Sequence, residues 1–127
     1  MKLLLDTSAF LWWLTEDRRL GSQARSAVAG SENVVFVSAA SAWEIAIKRS
    51  LGKLEVEGDV LGWIEGAEFT ELPVRVIHAF EAETLPLHHR DPFDRMLIAQ
   101  SRHEGMTLVT SDAKIAQYDV EILAADR

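Results

Sequence analysis

Four acidic residues carry the clearest chemical signal in this sequence. Each stands at or near a predicted helix start: Asp6 after LLL, Glu44 in SAWEIA, Asp94 in DPFDRMLIAQ and Asp112 in LVTSDAK. Gathered in one place, four carboxylates repel one another unless a cation neutralises them. Oxygen ligands of this kind favour hard ions such as Mg²⁺ and Mn²⁺. Because such ions activate water for attack on a phosphodiester, the four acids predict a metal-dependent hydrolase.

Each acid also has a purely structural interpretation. Helix N-termini favour negative charge by about 0.3–1 kcal/mol. Ser41 and Glu44 match a capping box, Glu44 and Lys48 form an i,i+4 ion pair, and Asp91 with Asp94 could cap one helix. Acids that only cap separate helices need not lie close together. If the four acids do meet at one place, a metal site is a better explanation than a set of caps.

Only a fold can bring these acids together, because they are spread over most of the chain. Strand and helix alternate, which indicates an α/β fold: a three-layer α/β/α sandwich with a central parallel sheet. In such a sheet the strand C-termini share one edge with the following helix N-termini, and ligands bind there. Apolar runs predict strands at 2–5, 34–37, 107–110 and 120–123, and helical spacing predicts helices at 8–14, 22–29, 41–51, 59–67, 92–104 and 112–118, with another between Pro73 and Pro86.

Large apolar residues predict where two of the helices face. Trp43, Ile47 and Leu51, four residues apart, predict an apolar stripe directed toward the core. The adjacent Trp12 and Trp13 cannot both point inward, so one of them is expected in an exposed apolar patch. A patch of this kind suits a protein partner or a dimer face.

The overall charge opposes nucleic-acid binding. Thirteen basic residues against twenty acidic ones give a formal net charge of −7, whereas phosphate binding is driven by cations. Bound dications would offset part of this charge. Candidates for a basic rim are Lys48, Arg49, Lys53, His88, His89, Arg90, Arg95 and Arg102. The two histidines are interpreted first as exposed loop residues and are not assigned as ligands.

Length and composition indicate one ordinary domain. The chain has 127 residues, of which 48% are apolar, and we expect a single domain over residues 1–127. Cysteine is absent, so a metal must be held by oxygen or imidazole, and a reducing compartment is favoured. The opening MKLLLD is too short for a signal h-region or a membrane span, and we expect a cytoplasmic protein that does not enter the membrane.

Four segments occur in a recognisable order: LLLDTSAF, VSAASAWEIAIKRSLGKL, LPLHHRDPFDRMLIAQ and LVTSD. Together they resemble the PIN-domain ribonucleases, and within them the VapC-like toxins of toxin–antitoxin pairs, over essentially the whole chain. The resemblance implies an endoribonuclease that depends on Mg²⁺ or Mn²⁺ and leaves a 5′-phosphate and a 3′-hydroxyl. It also implies a parallel sheet between helices, a homodimer, and inhibition by a small antitoxin protein.

The resemblance also assigns roles by position. The acidic tetrad of the family corresponds to Asp6, Glu44, Asp94 and Asp112, and hydroxyl groups that orient ligands or bound water correspond to Thr7 or Ser8 and to Thr110. Asp91 is an additional acid that could be a cap, an outer ligand or a partial substitute for Asp94. A metal held mainly by Asp6, Asp94 and Asp112 would activate water, with Glu44 orienting that water or sharing a metal, while Lys48, Arg49 or Arg95 steers RNA.

Two other functions compete with this hypothesis. Asp6 stands where haloacid-dehalogenase-like phosphatases keep an aspartyl nucleophile, but those enzymes need a second acid two positions later, where this chain has Ser8. The other is a PIN-like module that binds RNA or protein without turnover. The intact acidic tetrad argues against it, and a metal-dependent cleavage assay separates the two.

Overall fold

A five-stranded parallel sheet organises the chain. The computed structural model describes residues 1–127, and its strands pair in the order β3-β2-β1-β4-β5, all parallel. The strands are β1 (Lys2–Leu5), β2 (Val34–Ser38), β3 (Thr70–Leu72), β4 (Thr107–Thr110) and β5 (Ile122–Ala124). The predicted parallel sheet is confirmed. The short edge strand β3 was missed because only one of its three residues is apolar, which leaves no alternation to detect.

Six helices cover the sheet. They are α1 (Thr7–Leu14), α2 (Ser22–Ala29), α3 (Ala39–Ser50), α4 (Val60–Gly66), α5 (Val76–Glu83) and α6 (Pro92–Glu104). The helix predicted over 112–118 is wrong, because this segment forms only a 3₁₀ turn at Ile115–Gln117. None of the helices is both long and apolar enough to span a membrane.

The core consists of two apolar layers, one on each face of the sheet. Leu3 and Leu5 contribute to the layer under α1, α2 and α4, whereas Leu4 contributes to the layer under α6. Successive strand residues point to opposite faces, so a strand covered on both sides needs an unbroken apolar run. The LLL sequence of β1 meets this requirement, and the three-layer architecture is confirmed.

The predicted apolar stripe of α3 is wrong. Trp43 is 64% exposed and Leu51 is 62% exposed, whereas Ile45 is buried. The buried face of α3 also carries Ser41 and Glu44, which both hydrogen-bond the Thr7 hydroxyl at the start of α1. Polar groups occupy this face because it packs against the polar start of α1, so apolar spacing alone misplaced it.

The connections place three element ends at one edge of the sheet. β1 leads into α1 and β2 leads into α3 with no intervening loop. α6 precedes β4 through a two-residue turn, in which Gly105 adopts φ +67°. Since a helix joined tightly to the next parallel strand runs antiparallel to it, the N-terminus of α6 lies at the carboxyl edge of the strands. Asp94 therefore reaches this edge, although no strand precedes its helix directly.

Candidate active site

The four predicted acids meet in one pocket of about 350 Å³. None of the nine residues that line it is hydrophobic; they are Asp6, Thr7, Ser8, Glu44, Lys48, Asp91, Asp94, Ser111 and Asp112. The pocket thus combines five carboxylates with one lysine. The convergence that separates a metal site from a set of helix caps is present in the fold.

Asp6 links β1 to α1 at the base of the pocket. Its backbone N–H donates to Val109 O at 3.0 Å, and its carboxylate caps α1 by accepting from Ala9 N at 2.7 Å. The side chain is buried, and burial raises the pKa of Asp6 to about 6 even though the Thr110 hydroxyl and the Ala9 amide lower it. The nearby carboxylates of Asp112 and Glu44 raise it further. Asp6 is both a cap and a site carboxylate, so the two interpretations are not exclusive.

Glu44 is held by partners on both of its oxygens. Thr7 donates its hydroxyl to Glu44 Oε1 at 2.6 Å, and Lys48 Nζ lies 2.7 Å from Glu44 Oε2. The capping box of Ser41 and Glu44 is wrong, because α3 begins earlier and Ser38 is its N-cap. Glu44 lies in the second turn of α3 and has no capping role to explain its burial.

Asp91 and Asp94 divide two tasks at the start of α6. Asp91 is the N-cap and accepts from Phe93 N at 2.8 Å and from Asp94 N at 3.0 Å. Asp94 is left to face the pocket, where burial and the charges of Asp91, Asp6 and Glu44 raise its pKa to about 7. Of the three roles left open for Asp91, the structure supports a cap that also lines the pocket.

Asp112 follows β4 and is fixed by its own turn. Its backbone N–H donates to Thr110 Oγ1 at 3.1 Å, and its Oδ1 accepts from Lys114 N at 2.8 Å. The nearby hydroxyl of Thr110 also lowers the pKa of the Asp6 carboxyl. The supporting role predicted for Thr110 stays a prediction.

Two residues of the site were not predicted. Both loop histidines are predicted to be exposed, and for His89 this prediction is wrong. Its Nε2 lies 2.9 Å from Asp94 Oδ2 and 3.0 Å from Asp112 Oδ2. His88 is exposed and packs edge-on against Tyr118. Ser111 lines the pocket next to Asp112. A loop has no periodicity from which the direction of a side chain can be deduced. The only sign in the sequence that His89 belongs to the site is its position two residues before Asp91.

The three predicted RNA-binding cations have different surroundings. Lys48 lines the pocket beside Glu44. Arg49 donates to the backbone oxygens of Val56 and Gly58, and Arg95 donates to a set of loop acceptors away from the pocket. RNA contact by Arg49 and Arg95 stays a prediction, and the structure adds a local structural role for each.

Residues 3–121 match the sequence profile of the PIN domain family, which covers nearly the whole chain. The chain belongs to the PIN domain family. Among curated relatives, this PIN domain is 26% identical over 119 residues to Ribonuclease VapC22 of Mycobacterium tuberculosis (strain ATCC 25618 / H37Rv), covering 91% of each chain. The resemblance that the ordered motifs predicted is confirmed.

Solved structures share the fold of this PIN domain at low sequence identity. The crystal structure of VapBC2 from Rickettsia felis, bound to a DNA fragment from their promoter, superposes with a TM-score of 0.67 at 12% identity, over 97% of this chain and 98% of that one. DNA-bound VapBC from Salmonella typhimurium gives a TM-score of 0.67 at 15% identity, over 97% of both chains. These similarities support the α/β architecture.

The donor set of this PIN domain fits a divalent cation. Burial and mutual repulsion raise the pKa of both Asp6 and Asp94, so the pocket contains more negative charge than its own lysine neutralises. All of the acidic ligands offer oxygen, the donor that Mg²⁺ and Mn²⁺ prefer. One oxygen of Asp94 and one oxygen of Asp112 lie within 4.8 Å of each other, close enough to contact one ion, and the His89 nitrogen lies within the same distance of both.

Proposed function

We propose that this PIN domain is a Mg²⁺- or Mn²⁺-dependent endoribonuclease toxin that hydrolyses RNA phosphodiester bonds and is neutralised by a cognate antitoxin. The observation that carries the proposal is the convergence of Asp6, Glu44, Asp94 and Asp112 on one pocket without apolar lining. A curated relative is a ribonuclease, Ribonuclease VapC22, and the structural neighbours are VapBC complexes.

The acids of the pocket would hold the metal. Asp6, Asp94 and Asp112 extend from three different parts of the fold, and the carboxylates of Asp6 and Asp112 are held by backbone N–H groups of Ala9 and Lys114. When bound, a divalent cation would neutralise these carboxylates and supply the Lewis acidity that activates water and polarises the phosphodiester. Glu44 is oriented by Thr7 and Lys48, which suits it to accept a hydrogen bond from the attacking water or to share the ion.

Lys48 is the cation best placed for the RNA backbone. Its side chain is about half exposed while its ammonium contacts Glu44, so it can approach a phosphate at the mouth of the pocket. A lysine at this place would also offset charge that develops in the transition state. Lys48 is the one basic residue that lines the pocket, and we propose that it guides the scissile phosphate.

The proposal extends to the partners and the location of the chain. Because its fold is similar to that of chains in the VapBC complexes, we propose an antitoxin partner. We also propose a homodimer and a cytoplasmic location. A phosphotransfer enzyme with Asp6 as nucleophile has no support, because Ser8 replaces the second acid that such an enzyme needs.

Asp6→Asn tests the proposed nuclease. Asparagine keeps the cap on Ala9 but removes the charge, so we expect RNA cleavage to fall by at least about a hundredfold while the fold is retained. Cleavage of total RNA by the purified chain, freed of any bound antitoxin, is measured with Mg²⁺ or Mn²⁺ and with a chelator. Asp119→Asn, an exposed aspartate outside the pocket, is the matched control and should cleave normally.

Undiminished cleavage by Asp6→Asn would contradict the assignment of the site. RNA binding without cleavage in either metal would instead support the non-catalytic module. Cleavage that is lost with the chelator and restored by Mg²⁺ or Mn²⁺ supports the enzyme.

A further inference from the structure

The loop that connects α5 to α6 contains a histidine for which the acidic tetrad has no role. His89 Nε2 lies 2.9 Å from Asp94 Oδ2 and 3.0 Å from Asp112 Oδ2, and its side chain is only 11% exposed. The two aspartates belong to different elements, the start of α6 and the segment after β4. His89 is therefore a direct connection between two site acids that no backbone hydrogen bond joins.

The hydrogen bonds of the ring determine which nitrogen carries its proton. Nδ1 accepts from the backbone N–H of Asp91 at 3.3 Å, so in the neutral ring the proton is on Nε2. The Nε2–H then donates to Asp112 Oδ2 and lies beside Asp94 Oδ2. A nitrogen that carries a proton cannot ligate a metal, so this tautomer makes His89 a donor to Asp112 rather than a third ligand.

The backbone around His89 is fixed from two sides. Its N–H donates to Tyr118 Oη at 2.8 Å, and its carbonyl accepts from Arg95 Nη1 at 3.2 Å. The buried Tyr118 in turn donates to Pro86 O at 2.6 Å, at the start of the same loop. These contacts hold the imidazole against the acids and leave it little freedom to move away.

From these contacts we propose that His89 is a positioning residue of the metal site. Its Nε2–H donates to Asp112 and lies against Asp94, which keeps one oxygen of each carboxylate within 4.8 Å of the other, without ligating the cation itself. The contacts of the ring use one oxygen of each aspartate, and a carboxylate oxygen keeps a further lone pair for a cation. The proposal rests on the proposed metal-dependent function.

Mn²⁺ itself is the probe for this role. Mn²⁺ affinity of the full chain is measured by electron paramagnetic resonance titration for wild type, His89→Leu and His89→Gln. We expect His89→Leu to bind Mn²⁺ about 10- to 100-fold more weakly, the usual effect of losing a hydrogen-bond partner of a metal ligand. His89→Gln places an amide N–H where the ring Nε2–H was, and should keep most of the affinity.

His88→Leu is the matched control, because His88 is the neighbouring loop histidine and contacts Tyr118 rather than the acids. It should bind Mn²⁺ like the wild type. Electron spin-echo envelope modulation of Mn²⁺ in the wild-type protein requires no variant to fold, and should show no coordinated imidazole nitrogen.

A directly coordinated nitrogen in that spectrum would overturn the proposal in favour of a ligand role. Equal or tighter Mn²⁺ binding by His89→Leu would also overturn it, because the bridge would then be dispensable or would compete with the ion. If the wild type cleaves RNA and binds Mn²⁺ but gives either result, only the positioning role fails. If the wild type neither binds Mn²⁺ nor cleaves RNA, the proposed function fails and the positioning role fails with it.

Discussion

Asp6 illustrates, at the scale of one residue, why a site of this kind calls for a cation. Its carboxylate is buried beside two other acids, and burial is the largest cause of its raised pKa. Helix capping and the Thr110 hydroxyl stabilise the ionised form only in part. The ionised carboxylate of Asp6 therefore remains unfavourable without a cation. A bound dication would remove the remaining repulsion, so this position is suited to metal binding.

The raised pKa of Asp6 predicts a pH dependence of stability. An unfolded aspartate ionises near pH 3.8, whereas folded Asp6 keeps its proton until about pH 6. Between these values the native state binds more protons, so the contribution of Asp6 to the free energy of unfolding falls as pH rises through this window. With a chelator present, Asp6→Asn should therefore exceed the wild type in stability at pH 8 by roughly 1–3 kcal/mol, and the difference should vanish toward pH 4.

Urea unfolding at pH 4, 6 and 8 measures this difference. Asp119→Asn serves as the control and should show no such trend, because its side chain is exposed. A wild type that became more stable than Asp6→Asn as pH rose from 4 to 8 would contradict the raised pKa.

At the scale of elements, Arg95 anchors the connection between α5 and α6. Its guanidinium donates to four backbone oxygens and to one tyrosine hydroxyl at 2.8–3.3 Å; the acceptors are Ala82 O, Leu85 O, Pro86 O, His89 O and Tyr118 Oη. The planar guanidinium satisfies carbonyls that end one helix and precede the next. The loop that carries His89 thus depends on a residue of α6 for its shape.

Arg95→Lys tests this anchoring role. Lysine keeps the charge but has three donors on one atom, so most of the fixed contacts are lost, and the free energy of unfolding should fall by about 1–3 kcal/mol. Urea unfolding provides the measurement, and Arg102→Lys, an exposed arginine of the same helix, is the control. Unchanged stability in Arg95→Lys would mean that these contacts are dispensable, and would leave RNA binding as the better explanation of Arg95.

At the scale of the whole molecule, apolar surface is concentrated on α5. Val76 is 74% exposed, Ile77 is 40% exposed and Phe80 is 61% exposed, whereas Trp12 and Trp13 are both half-buried. The expectation that Trp12 or Trp13 lies in an exposed apolar patch is therefore wrong, and α5 carries a cluster of exposed apolar side chains instead. Large side chains exposed together on one helix are typical of a protein contact, and the proposed homodimer would cover them.

Phe80→Glu tests this face as the dimer contact. A buried charge at the interface would oppose association, so the particle mass should fall from twice the 14.2 kDa chain to that of one chain. Sedimentation velocity gives the mass. Leu61→Glu, at a similarly exposed apolar position on α4, is the control and should remain dimeric. A monomeric wild type, or a dimer that survives Phe80→Glu, would reject this face.

Local signals in the sequence predict the class of fold and single out the four acids. Alternating apolar runs and capped helices are local signals, and they predicted most of the elements and the parallel sheet. The helix cap at Asp91 was predictable because capping involves residues that are close in sequence. The short strand β3 carries too weak a local pattern, and its existence depends on pairing with β2.

The three-dimensional packing of the chain, by contrast, sets which acids lie together, which face of α3 is buried and where His89 points. The strand order places β1 beside β4 and β2, so residues more than a hundred positions apart line one pocket. Such contacts depend on crossover connections and packing, and these produce no repeating pattern of residues in the sequence. His89 reaches Asp94 and Asp112 because Tyr118 and Arg95 fix its loop, and no local pattern encodes that arrangement.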